Sequence, residues 1–159
     1  MITYREADPV PASVQTALAA YPPLMQQLLF NRGIDSVAAA TAWLKPAYES
    51  TLHDPFLLSD MERAVTRIHA AIAAEEPIVL YSDYDCDGIP GAVVLHDYLT
   101  ELGYQNFSVY IPHRHYEGFG FNAAAASQLI SDGAKLIITI DCGISDTAAV
   151  AVANQAGAD

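Results

Sequence analysis

From Ser59 onward the chain alternates short apolar runs with amphipathic stretches, and that alternation restricts the fold more than anything else in its 159 residues. Ile78 to Tyr81, Phe107 to Ile111 and Ala134 to Ile140 read as strands. Between and around them lie four helical stretches. The first is capped by Ser59 or Asp60 and carries Met61, Val65, Ile68 and Ile72 at helical spacing. Gly88 to Leu102 places Val93, Leu99 and Leu102 on one side and closes at Gly103. Asn122 to Ser131 and Ser145 to Gln155 complete the series. Strand–helix alternation at this length predicts an α/β fold: a mostly parallel sheet joined by right-handed crossovers, with helices on both faces.

Residues 1–58 have a different texture. Six prolines, at 9, 11, 22, 23, 46 and 55, divide this part into short pieces. Pro23 to Asn31 and Ser36 to Leu44 read as short helices, with Asn31-Arg32-Gly33 as the stop and Asp35 or Ser36 as the restart. The expected organisation is a helical leader over 1–58 packed on an α/β domain over 59–159. Trp43 and Phe56 are expected as core or docking contacts.

Ligands in open parallel sheets bind beyond the carboxyl ends of the strands, so three segments matter. Asp83, Asp85 and Asp87 stand at alternate positions directly after the first strand. As a plain turn, one of them would cap the helix starting near Gly88. Three like charges at the end of a buried strand repel one another and are costly to desolvate, which points to a hard divalent cation between them. If the extended conformation persists, all three side chains approach a common point. Asp141 comes to the same edge at the end of the third strand. Carboxylates from two strand ends can hold two cations about 3.5 to 4 Å apart, an arrangement that activates water and stabilises both oxygens of a phosphoryl displacement. No Gly-Lys-Ser/Thr follows the first strand, so this is not a Walker P-loop.

The third segment, Pro112 to Asn122, offers Arg114, His113 and His115 among aromatics and the glycines Gly118 and Gly120. It suits a phosphate contact and base stacking, with Arg114 as the phosphate ligand. Alternatively the glycines only shape the turn, Phe119 and Phe121 are core, and Asn122 caps a helix. His53, His69 and His96 read as surface or partly buried polar residues. Cys86 and Cys142 are too few for a disulfide scaffold and read as reduced thiols, packed rather than ligating.

The formal charge of −12 opposes attraction to nucleic acid or to an anionic membrane, so bound metal or a basic region elsewhere must supply it for any polyanion. Met1 to Glu6 lacks the basic start and apolar core of a secretory signal, and a cytoplasmic protein with no membrane association is expected.

Val79 to Ile89 resembles the first motif of the DHH phosphoesterase superfamily, in the form found in the RecJ family of single-stranded-DNA-specific exonucleases. Three further stretches resemble that family in order: Leu52 to Met61, Ile111 to Gly120, and Ile138 to Ile144. The leader from Pro22 to Ile34 is similar as well. The resemblance implies metal-dependent hydrolysis of single-stranded DNA in the 5′ to 3′ direction during recombination and repair, with Mn²⁺ or Mg²⁺, two ions in the complete protein. It implies Asp85, Asp87 and Asp141 as catalytic metal ligands, Asp83 in or next to their shell, and Arg114, His113, Gly118 and Gly120 on the substrate side. Repair proteins such as single-strand-binding protein are implied as partners. Ile89-Pro90-Gly91 departs from the family's Thr-containing helix start.

In the family the sequence continues past this point into a strand ending in Asp-His-His, so the stretch by itself is expected to be a poor or inactive catalyst. The strand ending at Ile140 is expected to leave a pairing edge. Two other readings stand beside this one. A DHH phosphoesterase acting on short oligonucleotides or cyclic dinucleotides shares the aspartates, and a non-catalytic acidic interaction module accounts for the charge.

Overall fold

The computed structural model describes residues 5–159; Met1 to Tyr4, the start of the segment read as lacking a secretory signal, lie outside the described residues. The chain divides into two compact units, one ending at Leu57 and the other running from Leu58 to Asp159.

The first unit contains α1 (Ala12–Ala17), α2 (Pro23–Phe30), α3 (Val37–Leu44), α4 (Tyr48–Thr51) and a 3-10 turn at Pro55–Leu57. Pro23 opens α2 at a position whose amide needs no helical partner. The Ser36 hydroxyl caps α3 by accepting from the Ala39 amide at 3.3 Å. Leu18, Leu29, Ile34 and Ala40 form a small buried cluster, joined by Val14, Tyr21 and Met25. Trp43 and Phe56 are not core: they stand 61% and 57% exposed. The short α1 and α4 were not anticipated, because six and four residues are too few to display a helical period.

The second unit runs α5 (Met61–Ala73), β1 (Ile78–Ser82), α6 (Gly88–Glu101), β2 (Phe107–Tyr110), α7 (Ala123–Ser131), β3 (Leu136–Ile140) and α8 (Thr147–Gln155). All pairing is parallel, in the order β2-β1-β3, so β1 is the central strand and is buried along its whole length. Its alternate side chains serve two cores. Val79 and Tyr81 pack with Phe121, Ala125, Ala126 and Leu129 on the face covered by α7 and α8. Ile78 and Leu80 pack with Ala71 and Leu99 on the face covered by α5 and α6. The α/β sheet with helices on both faces is therefore as the alternation implied.

Two details differ. Helix α6 turns Gly88, Ala92 and Leu99 inward, whereas Val93 and Leu102 are more than half exposed. Asp60 occupies the position before α5 but makes no side-chain cap, pairing instead with Arg63 at 3.6 Å. Strand β3 is at the edge of the sheet, as expected, but its outer side is not bare. The Asp159 amide donates to Lys135 O and the Ile137 amide to Asp159 O, the pattern of a parallel bridge. Among the described residues no helix is long and apolar enough to cross a membrane.

Candidate metal centre

Because the three strands are parallel, the turns after them all emerge at one edge of the sheet. Ser82 pairs with Ile140, so the residues that follow them, Asp83 and Asp141, leave the ladder side by side. The Asp83 amide donates to Ile140 O at 3.3 Å and extends that pairing by one bond. Asp83 is 2% exposed, and its Oδ1 has no hydrogen-bond partner.

After Asp83 the chain turns, and α6 begins at Gly88. Glycine is required there. A Cβ on Gly88 would lie 2.4 Å from Asp83 O and 3.0 Å from Ser82 Oγ, so no larger residue lets the helix start this close to the strand. The turn reorders the aspartates. Asp85 Oδ1 accepts from the Asp87 amide at 3.0 Å and the Gly88 amide at 3.1 Å, tying Asp85 to the helix start. Asp83, Asp85 and Asp141 then offer carboxylate oxygens that all lie within 4.8 Å of one another. Asp87 is carried to the N-cap position of α6 and stands outside this group. The expected convergence of three alternate aspartates thus fails for Asp87, since it assumed an extended backbone that ends at Asp83. Pro90 sits inside the first turn of α6, where the missing amide costs nothing.

The carboxyls polarise one another. The amides of Gly88 and Asp87 hold Asp85 below the usual carboxylate range, helped by a side-chain hydrogen bond with Asp141 and by the charge of Arg114. Asp141 moves the opposite way. Desolvation raises it first, and then Asp85, Asp87 and Asp83 add their negative charge. The opposite shifts mark carboxyls that crowd one another's negative charge, and a cation entering the group would relieve that crowding. Its backbone is left-handed at φ 58°, an unusual state for a non-glycine residue and a mark of local constraint.

The loop after β2 stands on its own set of anchors. Glu117 accepts from the His113 amide at 2.7 Å and from the Tyr110 hydroxyl. The Tyr81 hydroxyl, rising from the central strand, donates to Gly120 O at 2.9 Å. Asp146, just before α8, accepts from the Phe121 amide at 2.7 Å. Gly120 has φ 83°, and a Cβ there would lie 2.9 Å from Asp146 Oδ2. Asn122 caps α7 through the Ala125 amide at 2.8 Å.

These bonds leave Arg114, His113 and His115 exposed, with the Arg114 guanidinium 4.4 Å from the centre of the Tyr84 ring. Gly118, at φ 81°, is exposed in the same loop. Phe121 is core and Phe119 is 71% exposed. Phe119 borders a cavity of about 370 Å³ lined also by Asp141 to Asp146. Burial raises the Cys142 thiol, which packs against the core beneath, and Cys86 is exposed. His53, His69 and His96 are all exposed.

Glu117 and Asp146 anchor the loop and Tyr84 meets Arg114, three contacts that sequence reasoning did not anticipate. A carboxylate that holds backbone amides has no spacing signature, and only the glycines beside Glu117 hinted at a shaped loop.

The DHH family, N-terminal domain, matches residues 77–159 of this chain. A single-stranded-DNA-specific exonuclease RecJ from Bacillus subtilis is 37% identical over 137 residues, 86% of this chain and 17% of its own length. Its counterpart in Escherichia coli is 30% identical over 139 residues, 87% of this chain and 23% of its own. The chain therefore spans only 17% to 23% of the length of these two curated relatives. A crystal structure of exonuclease RecJ bound to manganese aligns with a TM-score of 0.59 at 28% identity, covering 64% of this chain and 26% of that one. RecJ in complex with Mn²⁺ from Thermus thermophilus shares the fold, with a TM-score of 0.56 at 22% identity over 92% of this chain and 19% of its own.

Proposed function

Since the chain belongs to the DHH family, we propose that it is the amino-terminal part of a metal-dependent exonuclease that hydrolyses single-stranded DNA in the 5′ to 3′ direction. The convergence of Asp83, Asp85 and Asp141 carries this reading. Their donor set fits a hard divalent cation. All three ligands are oxygens, the buried Asp83 Oδ1 lacks any protein partner, and the group has surplus negative charge. Such a mismatch is what a cation relieves.

Mn²⁺ or Mg²⁺ would be held by Asp83, Asp85 and Asp141. Asp87 belongs to the same centre through the negative charge it places against Asp141, and two ions are the proposed complement. When bound, the metal supplies an activated water at neutral pH and neutralises charge on the phosphoryl oxygens.

The protein's own groups do the rest. The amides of Asp87 and Gly88 fix Asp85 in its ionised form. The negative charge that Asp85, Asp87 and Asp83 press on Asp141 is offset as the centre fills. Arg114, with His113 beside it, faces the substrate phosphate from a loop held by Glu117, Tyr81 and Asp146. Gly118 and Gly120, both at positive φ, shape the turns of that loop and are proposed to lie on the substrate side. Repair proteins such as single-strand-binding protein are the proposed partners, and a cytoplasmic location goes with work on DNA in a cell of the kind in which the relatives occur.

The test is nuclease activity of the full-length protein on long 5′-phosphorylated single-stranded DNA with Mn²⁺. The Asp85→Ala, Asp141→Ala double variant should lose at least about 10²-fold in rate. Unimpaired degradation by that variant, or a preference for dinucleotides over long strands, counts against the proposal.

A further inference from the structure

Tyr84 lies between two of the converging aspartates, half-buried, with the Arg114 guanidinium over its ring at 4.4 Å from the centroid. The second unit has four Lys or Arg residues. Arg63 pairs with Asp60, and Arg67 pairs with Glu76 and Asp159. Lys135 immediately precedes β3, at the opposite end of the sheet from the acidic turns. Arg114 is thus the cation of this unit at the edge where the carboxylates gather, and its charge is felt at Asp85.

A long exposed guanidinium beside several carboxylates would ordinarily collapse onto one of them. Among the described residues Arg114 makes no such ion pair, and the aromatic face of Tyr84 is what holds it instead. A guanidinium stacked on a ring keeps its in-plane N–H donors available, the fork that grips a phosphate through two oxygens.

We propose that Tyr84 is a positioning residue for Arg114: its ring keeps the guanidinium off the acidic cluster and presents the N–H fork to a phosphate of the strand being cut. The inference rests on the exonuclease reading above and assigns to the aromatic side chain of the metal turn a role in substrate affinity. The Tyr84–Arg114 contact also links the turn after β1 to the loop after β2.

The experiment is steady-state kinetics of the full-length protein on 5′-phosphorylated single-stranded DNA with Mn²⁺, using Tyr84→Phe, Tyr84→Leu, Arg114→Ala and the Tyr84→Leu, Arg114→Ala double variant. Loss of the ring in Tyr84→Leu should raise KM about two- to fivefold while kcat stays within about twofold. Tyr84→Phe, which keeps the ring, should restore the parent KM. In the Arg114→Ala background, Tyr84→Leu should add nothing further.

An equal rise in KM with and without Arg114 would overturn the proposal, as would a fall in kcat together with weaker Mn²⁺ binding, since either makes Tyr84 a packing residue of the turn. So would an unchanged Tyr84→Leu enzyme beside an impaired Arg114→Ala one. A parent protein that leaves single-stranded DNA intact overturns the exonuclease reading and this inference with it, whereas the variant results overturn this inference alone.

Discussion

Asp83 shows what a single buried oxygen can specify. Its side chain is held in the protein interior by the last bonds of the β1–β3 ladder, yet Oδ1 finds no donor, a state that costs free energy unless a ligand completes it. Asp83→Asn should therefore stabilise the metal-free protein, by about 1 kcal/mol, because it removes one of several crowded charges. The same variant should abolish the rise in melting temperature that Mn²⁺ gives the parent; thermal unfolding with and without Mn²⁺ checks both halves.

The sequence made Asp83 and Asp141 readable as site residues, since each follows an apolar strand. Asp87 was read less well, because its direction depends on a turn whose hydrogen bonds, from its own amide and that of Gly88 to Asp85, are invisible in a pattern of residue types.

A second residue-scale expectation concerns pH. The Glu117 carboxylate pushes the Tyr110 hydroxyl up to about 12, and the His113 amide followed by the Tyr110 hydroxyl draws Glu117 below its ordinary range. A raised tyrosine contributes stability that is fully present below its unfolded pKa of about 10 and lost as pH climbs through the folded value. The lowered glutamate contributes stability above its unfolded pKa of about 4.3 and loses it as pH falls through the folded value. The loop after β2 should thus be best anchored between roughly pH 5 and 10. Ultraviolet titration of the parent against Tyr110→Phe should show the Tyr110 phenol still protonated at about pH 11, and Glu117→Gln should bring its ionisation down toward 10.

At the scale of elements, the alternation of apolar runs and helical stretches located all three strands and the four helices around them. Burial on both faces gives β1 its continuous apolar run, and crossovers in one direction oblige its neighbours to be parallel. Helix α6 was misjudged in orientation only. Apolar residues occupy most of its circumference, so no single direction dominates, and which side is buried is decided by the close approach at Gly88 and Gly91. Gly88→Ala should accordingly destabilise by about 1–3 kcal/mol in chemical denaturation, as its Cβ meets backbone that cannot yield. Asn122→Ala should cost about 1 kcal/mol through the lost cap of α7, with no change in Mn²⁺ affinity. An unfolding midpoint for Gly88→Ala equal to that of the parent would mean that the strand–helix junction is looser than this packing.

For the molecule as a whole, a charge of −12 sits awkwardly with the proposed DNA substrate until the acidic edge is considered with the cation it is proposed to hold. On the proposed function, the three carboxylates that would repel nucleic acid when empty become, once neutralised by a cation, the place where a phosphate approaches beside Arg114. The order of strands was legible only as a class, since parallel topology follows from crossovers whereas the central place of β1 depends on which helix covers which face. That central place puts the turn of Asp83 to Gly88 next to Asp141 and turns two separate sequence signals into one centre.

The claim that these three side chains make a cation site is tested most directly by titrating the protein with Mn²⁺ and following the paramagnetic resonance signal of the free ion. The account predicts that the parent suppresses the free-ion signal up to a defined stoichiometry and that Asp83→Asn and Asp141→Asn, folded as judged by circular dichroism, leave it undiminished. Equal suppression by the parent and by both variants would contradict it.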